Sequence, residues 1–178
     1  MVFTLLLSIL IIEDLNPFEE AEKSALNAIS IFEKNPFSSE AEFAAKEIML
    51  YAKHNLRSII YIDEKVLPWI HEEEDYKYGS LLIVAFVAGS MKPQLIHGKI
   101  KDHSLDGVLA MIKLYKEILD LDPDARDPTM EIFLKKRRNG NLNEYLREEM
   151  ETPSTRTQPT TLKNILEINP YPAIIPMA

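Results

Sequence analysis

The chain has 178 residues, of which 46% are hydrophobic and 27% charged, and a formal net charge of -8 at pH 7. This length and composition predict one globular domain and exclude global disorder. The negative charge argues against nucleic acid as a partner, because affinity for a phosphate backbone rests on clustered Lys and Arg. No cysteine is present, which excludes disulfides, thiolate metal sites and cysteine nucleophiles.

An apolar run, VFTLLLSILII, covers residues 2–12. It is too short to cross a bilayer, which needs about 20 residues, so we expect no transmembrane span. The run has the length of a signal-peptide core, yet no Lys or Arg precedes it and no small-residue cleavage site follows before Glu13 and Asp14. Two interpretations of residues 1–15 stay open. They are either a core element, with the protein in the cytoplasm, which we favour, or a signal peptide of an exported or periplasmic protein.

Two similar segments then follow one another, NPFEEAEKSALNAISIFEK and NPFSSEAEFAAKEIMLYAK. Asn16 and Pro17 are typical of a helix start, and Ser39 with Glu42 has the spacing of a capping box. The second helix should therefore begin near residue 40. Apolar residues recur at helical spacing in both copies, so each copy directs one stripe to a common core. The repeat predicts an antiparallel helix pair that serves packing.

The middle of the chain combines an ambiguous segment with a strongly apolar one. Residues 59–62, IIYI, fit a short strand or a continued helix. Residues 80–91, SLLIVAFVAGSM, are apolar on every side, which predicts a central buried helix. The small residues Ala85, Ala88 and Gly89 in it would let a neighbouring backbone approach closely. Pro93 is expected to kink or end this helix.

Three further helices are predicted after Gly98. Ser104 is the expected cap of the first, and Asp127 with Pro128 opens the second. The run KKRR at 135–138 fits the last turn of that second helix, where the helix dipole favours cations, so we do not interpret it as a nucleic-acid patch. A last short helix should reach about Met150. Residues 151–178 are rich in Thr and Pro and predict a disordered or surface-docked tail.

One segment has a counterpart in a known family. Met111-x3-Tyr115-x2-Ile118-x4-Pro123 resembles the second-helix half of a tetratricopeptide unit over 13 residues. Met111 and Ile118 stand where that pattern has small residues, and the first-helix half has no match upstream. The resemblance implies a helix hairpin and nothing about activity.

No catalytic residue, cofactor or metal ligand is assigned from the sequence, because no nucleotide, phosphate, hydrolase or zinc motif occurs in it. The acidic segment at 71–75, HEEED, lacks the glycine turn and alternation of a hard-cation loop, so we interpret it as a solvated loop. Trp and Tyr are enriched at interaction hot spots. The aromatic residues around this loop, with its histidine, therefore form a candidate interaction surface: Trp69, His71, Tyr76 and Tyr78. A lone Trp is also typical of a core.

The sequence thus predicts an all-α fold, a compact bundle or array of about five to seven helices built from antiparallel helix pairs over residues 16–150. The leading functional hypothesis is a non-catalytic scaffold or protein-interaction module with a protein partner that the sequence does not identify. An alternative is an exported helical protein that binds a small ligand in a pocket beside residues 80–91. A third hypothesis is an enzyme that uses dispersed acidic residues, which leave no local signature.

Overall fold

The computed structural model describes residues 17–54, 57–70 and 76–151. Within them the chain forms six α-helices and one short 3-10 helix, with no strand, which confirms the all-α prediction. The helices are α1 (Pro17–Lys34), α2 (Ser39–His54), α3 (Gly79–His97), α4 (Ser104–Leu121), α5 (Pro128–Arg138) and α6 (Leu142–Glu151), and the 3-10 helix is Pro68–Ile70. The interpretations of the apolar N-terminal run, of His71 and of the Thr/Pro-rich tail fall outside the described residues.

The repeated segments form the predicted helix pair, because α1 and α2 pack against each other along their apolar stripes. The cap of α2 is Ser38, whose Oγ accepts a hydrogen bond from the Ala41 backbone N–H at 3.1 Å. The predicted cap at Ser39 is wrong by one residue. The Ser38 hydroxyl also donates to the Asn35 carbonyl at 2.9 Å, so the Pro-Phe turn itself brings this side chain to the helix start.

Helix α3 is the centre of the fold, and every residue from 81 to 91 is buried. By length and composition alone this helix could cross a membrane, but 78% of that window is buried inside the fold, as in the core helix of a globular domain. The expectation that Pro93 could end the helix is wrong, since α3 continues to His97 and stops at Gly98 with φ 61°. A proline inside a helix costs about 3 kcal/mol, which burial of this helix outweighs.

Two glycines face each other where α3 and α4 cross. A Cβ atom on Gly89 would lie 2.8 Å from the Asp106 carbonyl oxygen and 3.1 Å from Cα of Gly107. A Cβ atom on Gly107 would lie 2.8 Å from the Phe86 carbonyl oxygen. The close backbone approach predicted for Gly89 is therefore confirmed, and α4 is the helix that approaches.

Nearby side chains form hydrogen bonds at the starts of α4 and α5. Asp127 caps α5, because its Oδ1 accepts from the Met130 backbone N–H at 2.9 Å, as predicted. Ser104 does not cap α4. Its own N–H donates to Oδ1 of Asp102 at 2.8 Å, so the aspartate two residues earlier arranges this turn. The four cations at 135–138 occupy the last turn of α5, as predicted.

One side chain holds the extended segment before the 3-10 helix. Oε1 of Gln94 accepts from the Ile59 N–H at 3.0 Å, and its Nε2 donates to the Ile59 carbonyl at 2.8 Å. Gln94 is 1% exposed, so its amide would lose hydrogen-bond partners if it were not matched to backbone here. This pairing replaces the strand ladder that was one alternative for residues 59–62.

Candidate functional site

The predicted aromatic residues lie together against the loop between α4 and α5. Ring centroids are 5.7 Å apart for Trp69 and Tyr76 and 6.0 Å apart for Tyr76 and Tyr78. Trp69 is 7% exposed and Tyr78 is 4% exposed, while Tyr76 is half-buried. In the folded chain, two of the three rings therefore belong to the core.

The polar end of each ring donates a hydrogen bond into that loop. The bonds are Trp69 Nε1 to Asp127 Oδ2 (3.0 Å), Tyr76 O–H to the Ala125 carbonyl (2.9 Å) and Tyr78 O–H to Asp122 Oδ2 (3.0 Å). Buried aromatic N–H and O–H groups need such partners, and here the fold supplies them. The interaction surface stays a prediction, with Trp69 and Tyr78 offering a partner very little accessible area.

A fourth ring, Tyr115 of α4, extends this cluster. Its hydroxyl accepts from the Asp127 backbone N–H at 2.9 Å and donates to Oε1 of Glu131 at 3.0 Å. The same Glu131 oxygen accepts from Nη1 of Arg126 at 2.9 Å. The sequence pattern around Tyr115 gave no sign of these bonds, because their partners lie in the next loop and helix.

Three groups of this cluster have pKa values that are shifted away from neutral pH, namely Tyr76, Tyr115 and Asp122. Burial raises the pKa of Tyr115 to about 12, and burial also raises the pKa of Tyr76. Hydrogen bonds from Tyr78 and Lys77 lower the pKa of Asp122. In the described part of the chain, no group of three or more His, Asp or Glu residues is placed to hold a metal ion.

A pocket of about 260 Å³ opens between α1, α3 and α4. Its walls are almost entirely apolar and comprise Phe32, Pro36, Ala85, Ala88, Leu109, Ala110 and Leu114. Three charged residues, Glu33, Lys113 and Glu117, complete the lining. Such a concave, apolar site with a few polar groups is the usual form of a small-molecule site.

The charged groups of this pocket are already matched with one another. Glu33 forms an ion pair with Lys92, which lies beside the pocket on α3. Nζ of Lys113 donates to the Glu33 carbonyl at 3.2 Å and lies 3.9 Å from the carboxylate of Glu117. Each carboxylate thus has a cation nearby, Lys92 from outside the lining for Glu33 and Lys113 for Glu117.

The sequence anticipated one wall of this pocket. Ala85 and Ala88 were singled out as small residues on the central helix, and a pocket beside that helix was one of the hypotheses. Phe32 was assigned only to the apolar stripe of the first repeated segment, and Ala110 and Leu114 of α4 were not singled out. No local signal distinguished the α4 wall, since the pair Lys113 and Glu117, one helical turn apart, is typical of any exposed helix face.

Comparison with models of known protein families, with curated proteins and with solved structures gives no match for this chain. The class of protein is therefore described from its fold and its pocket. Over the residues that the structure describes, it is an all-α protein built around a buried central helix, with an apolar pocket against that helix.

Proposed function

We propose that this protein is a non-catalytic binding protein whose ligand is a small uncharged amphiphile held between α1, α3 and α4. The observation that carries the proposal is the apolar pocket with its ion-paired edge. The sequence suggested, as an alternative hypothesis, an exported protein with a ligand pocket beside the central helix. This proposal keeps the pocket and makes no claim about export.

The volume of the pocket limits the size of the ligand. An apolar cavity of about 150 Å³ holds benzene, and drug-sized ligands occupy roughly 300 to 1,000 Å³. A pocket of about 260 Å³ falls between these limits. A ring with a substituent or a medium-length alkyl chain fits this range.

The walls select for an apolar body. Ala85 and Ala88 present only methyl groups from α3, so the space between helices is left for a guest instead of being filled by larger side chains. Burying apolar ligand surface contributes about 25 cal/mol per Å². The central helix is buried and packed on its other sides, which keeps this wall fixed before a ligand arrives.

The edge selects against charge on the ligand. A carboxylate would meet Glu33 and Glu117, and an ammonium group would meet Lys113, each of which already has a partner. A hydroxyl or amide can instead hydrogen-bond to these groups without breaking an ion pair. An uncharged polar head group is therefore the best match.

The test is a calorimetric titration of the full chain with three probes of equal chain length, 1-octanol, octanoate and octylammonium. We expect 1-octanol to bind more tightly than either ion. Ala110 is half-buried at the pocket, so Ala110→Leu should fill it and weaken 1-octanol binding at least tenfold. Ala52→Leu, on a half-buried helical site outside the pocket, is the matched control and should change the affinity by less than twofold. Equal weakening by both variants, or preference for an ion, would reject the proposal.

The protein-interaction hypothesis, whose candidate surface was Trp69, His71, Tyr76 and Tyr78, stays a prediction, and exposed apolar residues elsewhere do not strengthen it. Phe43 and Leu50 are 71% and 53% exposed and lie two helical turns apart on α2. Singly exposed apolar residues are common on protein surfaces, so these two do not define a partner.

A further inference from the structure

A second pocket, of about 470 Å³, lies between α4 and α5. Leu119 and Leu134 give it an apolar floor. The rest of the lining is charged and comprises Lys116, Arg126, Glu131, Arg137 and Arg138. Four cations and a single carboxylate therefore surround one concave site in a chain whose formal net charge is -8.

Three of these cations have no partner within the described part of the chain. Arg126 is engaged, because its guanidinium pairs with Glu131 at 2.9 Å. The side chains of Lys116, Arg137 and Arg138 form no ion pair or hydrogen bond with any described residue. Their charge is available to a ligand.

The helix dipole explains only part of this arrangement. It favours cations anywhere in the last turn of α5, and Lys135 and Lys136 share that turn without lining the pocket. Nζ of Lys136 lies instead 4.4 Å from the ring centroid of Tyr145. The dipole gives no reason for Lys116 of α4 and Arg126 of the loop to border the same pocket as Arg137 and Arg138.

We propose that this pocket binds a small organic phosphate, separately from the α1–α3–α4 pocket. Arginine presents a planar fork of donors that matches two phosphate oxygens, and two neighbouring arginines with a lysine suit a dianion. An apolar substituent on the phosphate would lie on Leu119 and Leu134. The site thus combines charge recognition with a short apolar contact.

The charge of the whole chain favours a small ligand over a polyanion. A nucleic acid or an anionic membrane extends beyond the pocket, and the formal net charge of -8 on the whole chain opposes its approach. A compact phosphate enters the pocket and meets mainly its cations.

The test is an NMR titration of the full chain with hexyl phosphate, inorganic phosphate and 1-hexanol at constant ionic strength. Hexyl phosphate should shift the amide signals of α4 and α5 saturably and bind more tightly than the other two probes. The variant Arg137→Gln/Arg138→Gln should lower the affinity for hexyl phosphate at least tenfold, since loss of one charge-assisted hydrogen bond already lowers an affinity about tenfold. Lys135→Gln/Arg147→Gln removes the same charge outside the pocket and should stay within twofold.

Four outcomes would overturn the proposal. The control variant could weaken binding as much as the pocket variant, which would indicate bulk charge. The shifts could fall outside α4 and α5, or 1-hexanol could bind as tightly as its phosphate. A short single-stranded oligonucleotide or anionic vesicles that outcompete hexyl phosphate at these residues would replace the small ligand with a polyanion. Thermal unfolding of both double variants verifies that each is folded.

Discussion

Trp69 and Asp127 are joined by a buried hydrogen bond, Nε1 to Oδ2 at 3.0 Å, although they are 58 positions apart in the chain. The other oxygen of the same carboxylate caps α5. One aspartate therefore fixes both the 3-10 helix that carries Trp69 and the start of α5. The aromatic cluster therefore links the 3-10 helix to the loop between α4 and α5.

Asp127→Ala should lower the free energy of unfolding by about 2 to 4 kcal/mol, because it removes a helix cap and leaves the buried Trp69 N–H without a partner. Urea denaturation measures the loss. Asp124→Ala, an exposed aspartate in the same loop, should cost less than about 0.5 kcal/mol. Similar losses of unfolding free energy in the two variants would mean that the hydrogen bonds of the Asp127 carboxylate do not stabilise the fold.

Gln94→Met keeps a similar side-chain volume but removes both bonds to Ile59. We expect exchange of the Ile59 amide hydrogen to accelerate about fivefold, since a net hydrogen bond contributes about 1 kcal/mol. Native-state hydrogen exchange measures this rate, with the Ile112 amide of α4 as internal reference. If both amides accelerate by the same factor, the effect is global and Gln94 does not hold this segment specifically.

Gly89→Ala tests the close contact of α3 and α4. Helix propensity alone would make the variant more stable by about 1 kcal/mol. Because the added Cβ would lie 2.8 Å from the Asp106 carbonyl, we expect the opposite sign, a net loss of about 1 to 3 kcal/mol in urea denaturation. A variant as stable as the parent, or more so, would contradict the packing described for this crossing.

Asp122 should contribute to the acid sensitivity of the fold. Hydrogen bonds from Tyr78 and Lys77 lower its pKa in the folded chain from an ordinary value of 3.8. A lowered folded pKa gives stability that is fully present above pH 4 and is lost as the pH falls through the folded pKa. The stability difference between the parent and Asp122→Asn should therefore shrink between pH 5 and pH 2, as measured by urea midpoints.

Asp120→Asn is the matched control for the pH series, because it removes an exposed aspartate near the same end of α4. Its difference from the parent should vary less with pH than that of Asp122→Asn. A constant difference for Asp122→Asn across the range would show that these hydrogen bonds do not favour the carboxylate.

Local rules predicted the fold where the deciding residues are neighbours in sequence. The Asn-Pro-Phe segments predicted the α1–α2 pair, and Asp127 with Pro128 predicted the start of α5. The same rules failed where a competing contact decided the outcome. Pro93 should end a helix by its own chemistry, but burial of α3 on several sides outweighs that local cost. At the start of α4, Ser104 was the predicted cap. The side chain that accepts the backbone hydrogen bond there is instead Asp102, two residues earlier.

The candidate site was less accessible to sequence reasoning, because its parts come from distant segments. Ala85 and Ala88 stood out as small residues, whereas the position of Phe32 against them depends on how α1 packs on α3. Trp69 and Tyr78 suggested a surface because they flank a charged segment. Their burial depends on Asp122 and Asp127, which no local pattern connects to them.

The most direct test of the central claim is an NMR titration of the full chain with 1-octanol, followed through backbone amides and side-chain methyl groups. We expect saturable shifts at Ala85, Ala88 and Leu114, with intermolecular contacts from the octyl chain to these methyl groups. Shifts that never saturate, or that cluster around Phe43 and Leu50 on α2 instead, would contradict a ligand pocket between α1, α3 and α4.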